Sequence, residues 1–163
     1  MKKIFILFLL ITSSVTAQKK LDKLLNKWNH NSVPYISVET LAMPKTEAIL
    51  LDAREEEEFK TSHIKDAIFV GYDKFKLKET IPKLPEDKNA KIVVYCSLGI
   101  RSENIANKLI KEGYTNVYNL YGGIFEWKNA DFQVIDTLGN TTEKVHTFNK
   151  NWSKWLTKGE KVY

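Results

Sequence analysis

A chain of 163 residues, 43% hydrophobic and 28% charged, is long enough for one domain with a real core and too short for two, and its balance excludes a disordered or fibrous protein. The formal charge of +5 comes from scattered lysines with no arginine-rich stripe or RNA-binding signature, so nucleic acid is not an expected partner. Its one cysteine, Cys96, excludes an intramolecular disulfide framework.

The N-terminus is predicted to leave the protein. Lys2 and Lys3 form a basic start, Ile4 to Ile11 is an unbroken run of 8 large apolar residues, and Thr12 to Ala17 is small and polar. Val15 and Ala17 stand where a signal peptidase reads small residues, so residues 1–17 read as an export signal cut after Ala17. A membrane-spanning helix needs about 20 apolar residues, which this run does not supply. No cysteine lies near the cut, so neither a lipid nor a spanning helix is expected to anchor the mature chain, which would be periplasmic or secreted. Removal of Lys2 and Lys3 lowers the net charge from +5 to +3.

Residues 18–32 form an N-terminal segment in which Leu21, Leu24, Leu25 and Trp28 recur at helical spacing, predicting a short amphipathic helix that caps the domain. From 33 to 136 strands and helices alternate. Ala48 to Leu51 is a short buried strand ending at Asp52, and Glu55 to Lys60 is charged and helix-prone. Ala67 to Val70 reads as a strand, and residues 72–84 as a helix carrying Phe75, Leu77, Ile81 and Leu84, stopped by Pro85. Ile92 to Tyr95 is the clearest strand and Ser102 to Glu112 the clearest helix, with Ile105, Leu109 and Ile110 on one side and Gly113 as its stop. Val117 to Leu120 is a further strand, after which Gly122-Gly123 turns into a short helix around Trp127. Short apolar strands between helices predict an α/β domain with a mostly parallel central sheet and helices on both faces. Residues 137–163 differ in character, with Phe148, Trp152, Trp155, Tyr163 and many lysines, and are expected to turn and fold back so that the aromatics dock on their own domain.

A lone cysteine is more often a buried, inert residue than a reactive one, and the sequence around Cys96 decides otherwise. It follows the strand Ile92–Tyr95 directly, and Ser97-Leu98-Gly99-Ile100 lead into the next helix at about Arg101 or Ser102. That places the thiol at the C-terminal end of a parallel strand, where open α/β sheets bind ligands. Successive loop amides can curl into an anion cradle, with Gly99 supplying a positive φ. The helix N-terminus adds roughly half a positive charge. Arg101 adds a permanent cation. Such surroundings lower a cysteine pKa from about 8.5 to between about 3.5 and 7.5.

The segment Cys96-Ser97-Leu98-Gly99-Ile100-Arg101-Ser102 resembles the active-site loop of rhodanese-like sulfurtransferases. Leu51-Asp52-Ala53-Arg54-Glu55, followed by Glu58-Phe59 and Ser62-His63-Ile64, resembles the family's first signature, and Gly122-Gly123-Ile124 with Trp127 its last. The resemblance spans residues 35–136. It implies a rhodanese-like fold and sulfur transfer through a Cys96 persulfide, with the loop from Ser97 to Ser102 cradling the sulfur and Arg101 helping to bind an anionic donor. Implied partners are a small sulfur-containing anion such as thiosulfate, a persulfide, and cyanide or a low-molecular-weight thiol as acceptor. No metal or organic cofactor is implied. A non-turnover carrier that hands its sulfur to a protein acceptor is the alternative. Related phosphatases carry a longer loop between cysteine and arginine than the four residues here, so phosphatase chemistry is disfavoured.

Asp52 and Arg54 have two readings: tuning charge at the site's mouth, or, preferred, a structural ion pair that joins Arg54 to a carboxylate such as Glu58. His63 is expected to be a structural, hydrogen-bonded histidine. Ser97 stands where the family often has a basic residue, which weakens the positive field at the thiol.

Overall fold

The computed structural model describes residues 18–163; the expected export signal lies outside the described residues. It divides into an N-terminal unit ending at Asn31 and a larger unit from Ser32 to Tyr163. In the first, residues 18–28 form helix α1.

In the second, five strands form one sheet in the order β1-β5-β4-β2-β3, and every neighbouring pair is parallel. They are β1 (Tyr35–Ile36), β2 (Ile49–Asp52), β3 (Ile68–Phe69), β4 (Ile92–Tyr95) and β5 (Val117–Leu120). The helices between them are α2 (Val38–Ala42), α3 (Glu56–Thr61), α4 (Leu77–Thr80), α5 (Arg101–Lys111) and α6 (Gly123–Asn129). Strand β4 is the centre, and all four of its residues are buried. Because side chains alternate across a strand, burial at every position means that both faces of β4 are covered. Ile92 and Val94 join a core with Leu51, Ala53, Ile105, Ala106 and Leu109, so one face of α5 packs on this side of the sheet. The fold is the expected α/β architecture with a parallel central sheet.

Two elements are shorter than predicted. The helix expected over 72–84 is α4 alone, followed by a 3₁₀ turn at Ile81–Lys83. Pro82 has no N–H to return to the carbonyl of Lys78, so the α-helix cannot continue through it. Phe75 lies in the turn ahead of α4 and still packs on the core with Tyr72, Leu77 and Ile81. Strand β3 pairs through only Ile68 and Phe69, because the chain turns at Asp66 (φ 63°) before it and at Gly71 (φ 71°) after it.

Beyond α6 the chain forms an antiparallel hairpin of β6 (Val134–Ile135) and β7 (Thr141–Thr142), then a parallel pair of β8 (Lys144–His146) and β9 (Glu160–Val162). Asn129 ties this extension to α6, donating from Nδ2 to the carbonyl of Trp155 at 2.9 Å and accepting from the Thr157 amide at 2.7 Å. Strand β8 packs along α3.

Candidate active site

Cys96 stands one residue beyond the central strand, and its loop is shaped by neighbours on both sides. The backbone amide of Gly99, at φ 104°, donates to Sγ at 3.1 Å. The Ser102 hydroxyl, in the first turn of α5, lies 3.5 Å from Sγ and 2.7 Å from Oδ1 of Asn119, so its one proton is shared between them. Asn119, buried in β5, also donates from Nδ2 to the Gly99 carbonyl at 2.7 Å. That bond gives the Gly99 carbonyl a partner other than the sulfur.

The opening of α6 holds the other side. The amides of Ile124 and Phe125 donate to the carbonyls of Cys96 and Ser97 at 2.9 and 3.2 Å. Gly123, at φ 56°, lets α6 come this close: a Cβ there would stand 2.2 Å from the Cys96 carbonyl oxygen. With its carbonyls drawn to α6 and Asn119, the loop presents N–H groups to the sulfur, which is the arrangement an anionic sulfur needs. Leu98 is buried beneath the loop and Ile100 partly so.

Only 2% of Cys96 is exposed. Burial pushes its thiol up, but the Arg101 charge and hydrogen bonds from Ser102 and Gly99 together outweigh it and hold the pKa below the ordinary cysteine value. Arg101 is itself fixed by a two-pronged ion pair to Glu58 of α3, with Nη1 to Oε2 at 2.7 Å and Nη2 to Oε1 at 2.8 Å. Ser97 Oγ closes the triangle, donating to Glu58 at 2.9 Å and accepting from Arg101 at 3.0 Å.

Here the expected pairing of Arg54 is corrected. Arg54 does not bind Glu58; it forks onto Asp52, with Nη2 to Oδ2 at 2.7 Å and Nε to Oδ1 at 3.0 Å. Its Nη2 also donates to the Ser62 carbonyl at 2.6 Å. A fork two residues from its own partner pairs the two buried charges locally, although Nη1 of Arg54 has no hydrogen-bond partner, and Glu58 is left for Arg101. The Tyr95 hydroxyl accepts from the Ile64 amide at 3.1 Å, which ties β4 to the segment after α3. His63 is likewise engaged, its Nδ1 3.1 Å from the Phe59 carbonyl and its ring stacked on Phe59.

A sequence profile described as Rhodanese-like domain matches residues 38–130. The chain belongs to the rhodanese-like family. Among curated rhodanese-like relatives, a tRNA uridine(34) hydroxylase of Hamiltonella defensa is 34% identical over 118 residues, covering 71% of this chain and 31% of that protein. A thiosulfate sulfurtransferase GlpE of Coxiella burnetii is 33% identical over 84 residues, covering 52% of this chain and 75% of that protein. The chain thus spans about a third or less of the hydroxylases it matches and three quarters of the sulfurtransferase. Among solved structures, a rhodanese-related protein from Thermoplasma volcanium superposes with a TM-score of 0.54 at 26% identity, over 63% of this chain and 97% of that one. A thiosulfate sulfurtransferase from Pseudomonas aeruginosa, at 24% identity, shares the fold with a TM-score of 0.58 over 77% of this chain and 23% of that one.

One residue of this rhodanese-like site is not singled out from the sequence, and another is given the wrong partner there. Asn119 carries a legible signal, a lone amide inside a buried strand, since such a group must find partners. Glu58 stands out in the sequence as part of the first signature and as a candidate partner of Arg54, but that it serves Arg101 is decided only by packing. Burial pushes the Glu58 carboxyl up, but the hydrogen bond and charge of Arg101 outweigh this and hold it below the usual range. A carboxylate depressed in the fold contributes stability above its unfolded pKa of about 4.3 and loses it as pH falls through the lower folded value. Glu58→Gln is therefore expected to cost about 2–4 kcal/mol at pH 7, and urea unfolding should show the gap to wild type closing below about pH 4. A gap that persists in acid would mean that the carboxylate charge is not what stabilises the pair.

Proposed function

We propose that the protein is a sulfurtransferase that carries sulfane sulfur on Cys96. The observation that carries this reading is the thiol at the head of the four-residue loop that leads to Arg101, with the Gly99 amide 3.1 Å from Sγ and the Arg101 charge favouring thiolate. The Cys96 thiolate attacks the outer sulfur of a donor such as thiosulfate or a persulfide. A bond forms between the two sulfurs, the donor's S–S bond breaks, and sulfite or a thiolate leaves with the electron pair. The product is a Cys96 persulfide, whose terminal negative charge the loop amides stabilise. An acceptor, cyanide or a thiolate, then attacks the outer sulfur and releases the Cys96 thiolate. Splitting the transfer in two in this way is ordinary covalent catalysis. The basic and apolar N-terminus supports export, so the persulfide would protect a lone thiol in an oxidising compartment.

Steady-state formation of thiocyanate from cyanide, with thiosulfate and with a glutathione persulfide donor, tests the reading. Sustained turnover with either donor supports an enzyme. A single loading of Cys96 without turnover would point instead to the carrier that serves a protein acceptor, and no loading at all would sink both.

A further inference from the structure

Phe148 belongs to the C-terminal extension, beyond the residues 38–130 that the family profile matches, yet it reaches the site. The Cζ of Arg101 lies 4.9 Å from the centroid of its ring. The extension is built to hold it there. Thr147, the residue before it, is tied to β9, its amide donating to the Val162 carbonyl at 2.8 Å and its hydroxyl to the same carbonyl at 3.1 Å. The Phe148 amide donates to Nδ1 of His146 at 3.1 Å, and Trp152 meets the ring edge-on at 6.2 Å. Phe148 sits at φ 64°, a backbone region that bulky residues seldom enter and that surrounding structure must impose. Despite this restraint, 49% of Phe148 is exposed.

The consequence lies in what an incoming donor meets. Three N–H groups of Arg101 are occupied by Glu58 and Ser97, and the Phe148 ring lies beside the guanidinium. Glu58 balances the Arg101 charge, and the thiolate of Cys96 adds a further negative charge. A dianion such as thiosulfate thus approaches a cation whose charge is already partly offset. A donor with one charge and an aromatic body meets less repulsion and gains ring contact with Phe148.

We propose that Phe148 is a specificity-determining residue of the Cys96 site, selecting sulfur donors that carry an apolar or aryl group and one negative charge over inorganic dianions. This rests on the sulfurtransferase reading. With an arylthiosulfonate as donor, the Cys96 thiolate attacks the terminal sulfur, the S–S bond breaks, and arylsulfinate leaves with the electron pair, giving the same persulfide.

The test uses benzenethiosulfonate, methanethiosulfonate and thiosulfate as donors with cyanide as acceptor. The first two share charge and reacting sulfur and differ in the ring. Wild type should prefer the aryl donor to the methyl one in kcat/KM. Phe148→Asn removes the ring and tolerates the left-handed backbone, and it should shrink that preference about five-fold, chiefly through KM. Phe148→Tyr should restore it. An equal loss on all three donors would mark Phe148 as structural only and overturn the proposal, as would an undiminished aryl preference in Phe148→Asn. Failure of wild type to use any of the three, with no sulfur gained on Cys96 by mass, would overturn the sulfurtransferase reading and this proposal with it.

Discussion

Serine in place of Cys96 is expected to abolish sulfur transfer, by at least about 10³-fold in kcat, with the fold intact. A serine hydroxyl occupies the same cradle, but at neutral pH it is not ionised and forms no persulfide. The thermal melt should stay close to that of wild type, since the two side chains differ by one atom. Residual turnover in Cys96→Ser would show that another group carries the sulfur. The same thiol sets the pH dependence. The thiolate reacts and the thiol does not, so the rate of alkylation by iodoacetamide rises with pH through the pKa of Cys96. That pKa is depressed, so the midpoint should fall below the value of about 8.5 typical of a free cysteine. Removing a stabilising partner acts in the opposite direction. Arg101→Gln should move the midpoint to higher pH, and Ser102→Ala should do so by less, because it deletes a shared hydrogen bond and not a full charge. A midpoint unmoved by Arg101→Gln would mean that the charge does not act on the sulfur.

Gly123→Ala is the second large effect. The new Cβ would stand 2.2 Å from the Cys96 carbonyl oxygen and 2.8 Å from the carbonyl carbon and oxygen of Ser97, all of them backbone atoms that cannot swing aside. The backbone at φ 56° adds its own penalty for any side chain. Relief requires α6 to draw back from the loop, which breaks the bonds from Ile124 and Phe125 and frees the carbonyls they hold outward. We expect a loss of at least about 3 kcal/mol in urea unfolding and at least about ten-fold in turnover. Gly113→Ala is the comparison. It has a positive φ as well, 94°, but nothing lies within 4 Å of the added carbon, so it should cost only about 1 kcal/mol and leave the Cys96 loop untouched. Equal behaviour of the two variants would show that backbone strain, and not the close approach to Cys96, is what Gly123 avoids.

Much of this protein is legible from local pattern alone. The β-branched run from Ile92 to Val94 can be satisfied only by burial on both faces, which places it in the middle of a parallel sheet and Cys96 at its end. Helix α5 was legible from its spacing of Ile105 and Leu109 and from Gly113, whose positive φ stops it. The cysteine-to-arginine loop and the two glycines of Gly122-Gly123 announced themselves by residue types whose chemistry and conformation have few other uses. Which side chains meet is set by the fold. Arg54 had several carboxylates in reach of a guess, and the fold joined it to Asp52 because the fork closes within one turn of chain. Glu58 reads as a partner for Arg54 until α3 is laid beside the loop and its carboxylate meets Arg101. Asn119 gains its place from the pairing of β5 with β4, and Phe148 from β8 running along α3, contacts separated by tens of residues. Periodicity and turn chemistry are local energies that a sequence displays directly. The pairing of charges and rings across the fold is settled only when burial forces each polar group to find a partner, and that choice is made in three dimensions.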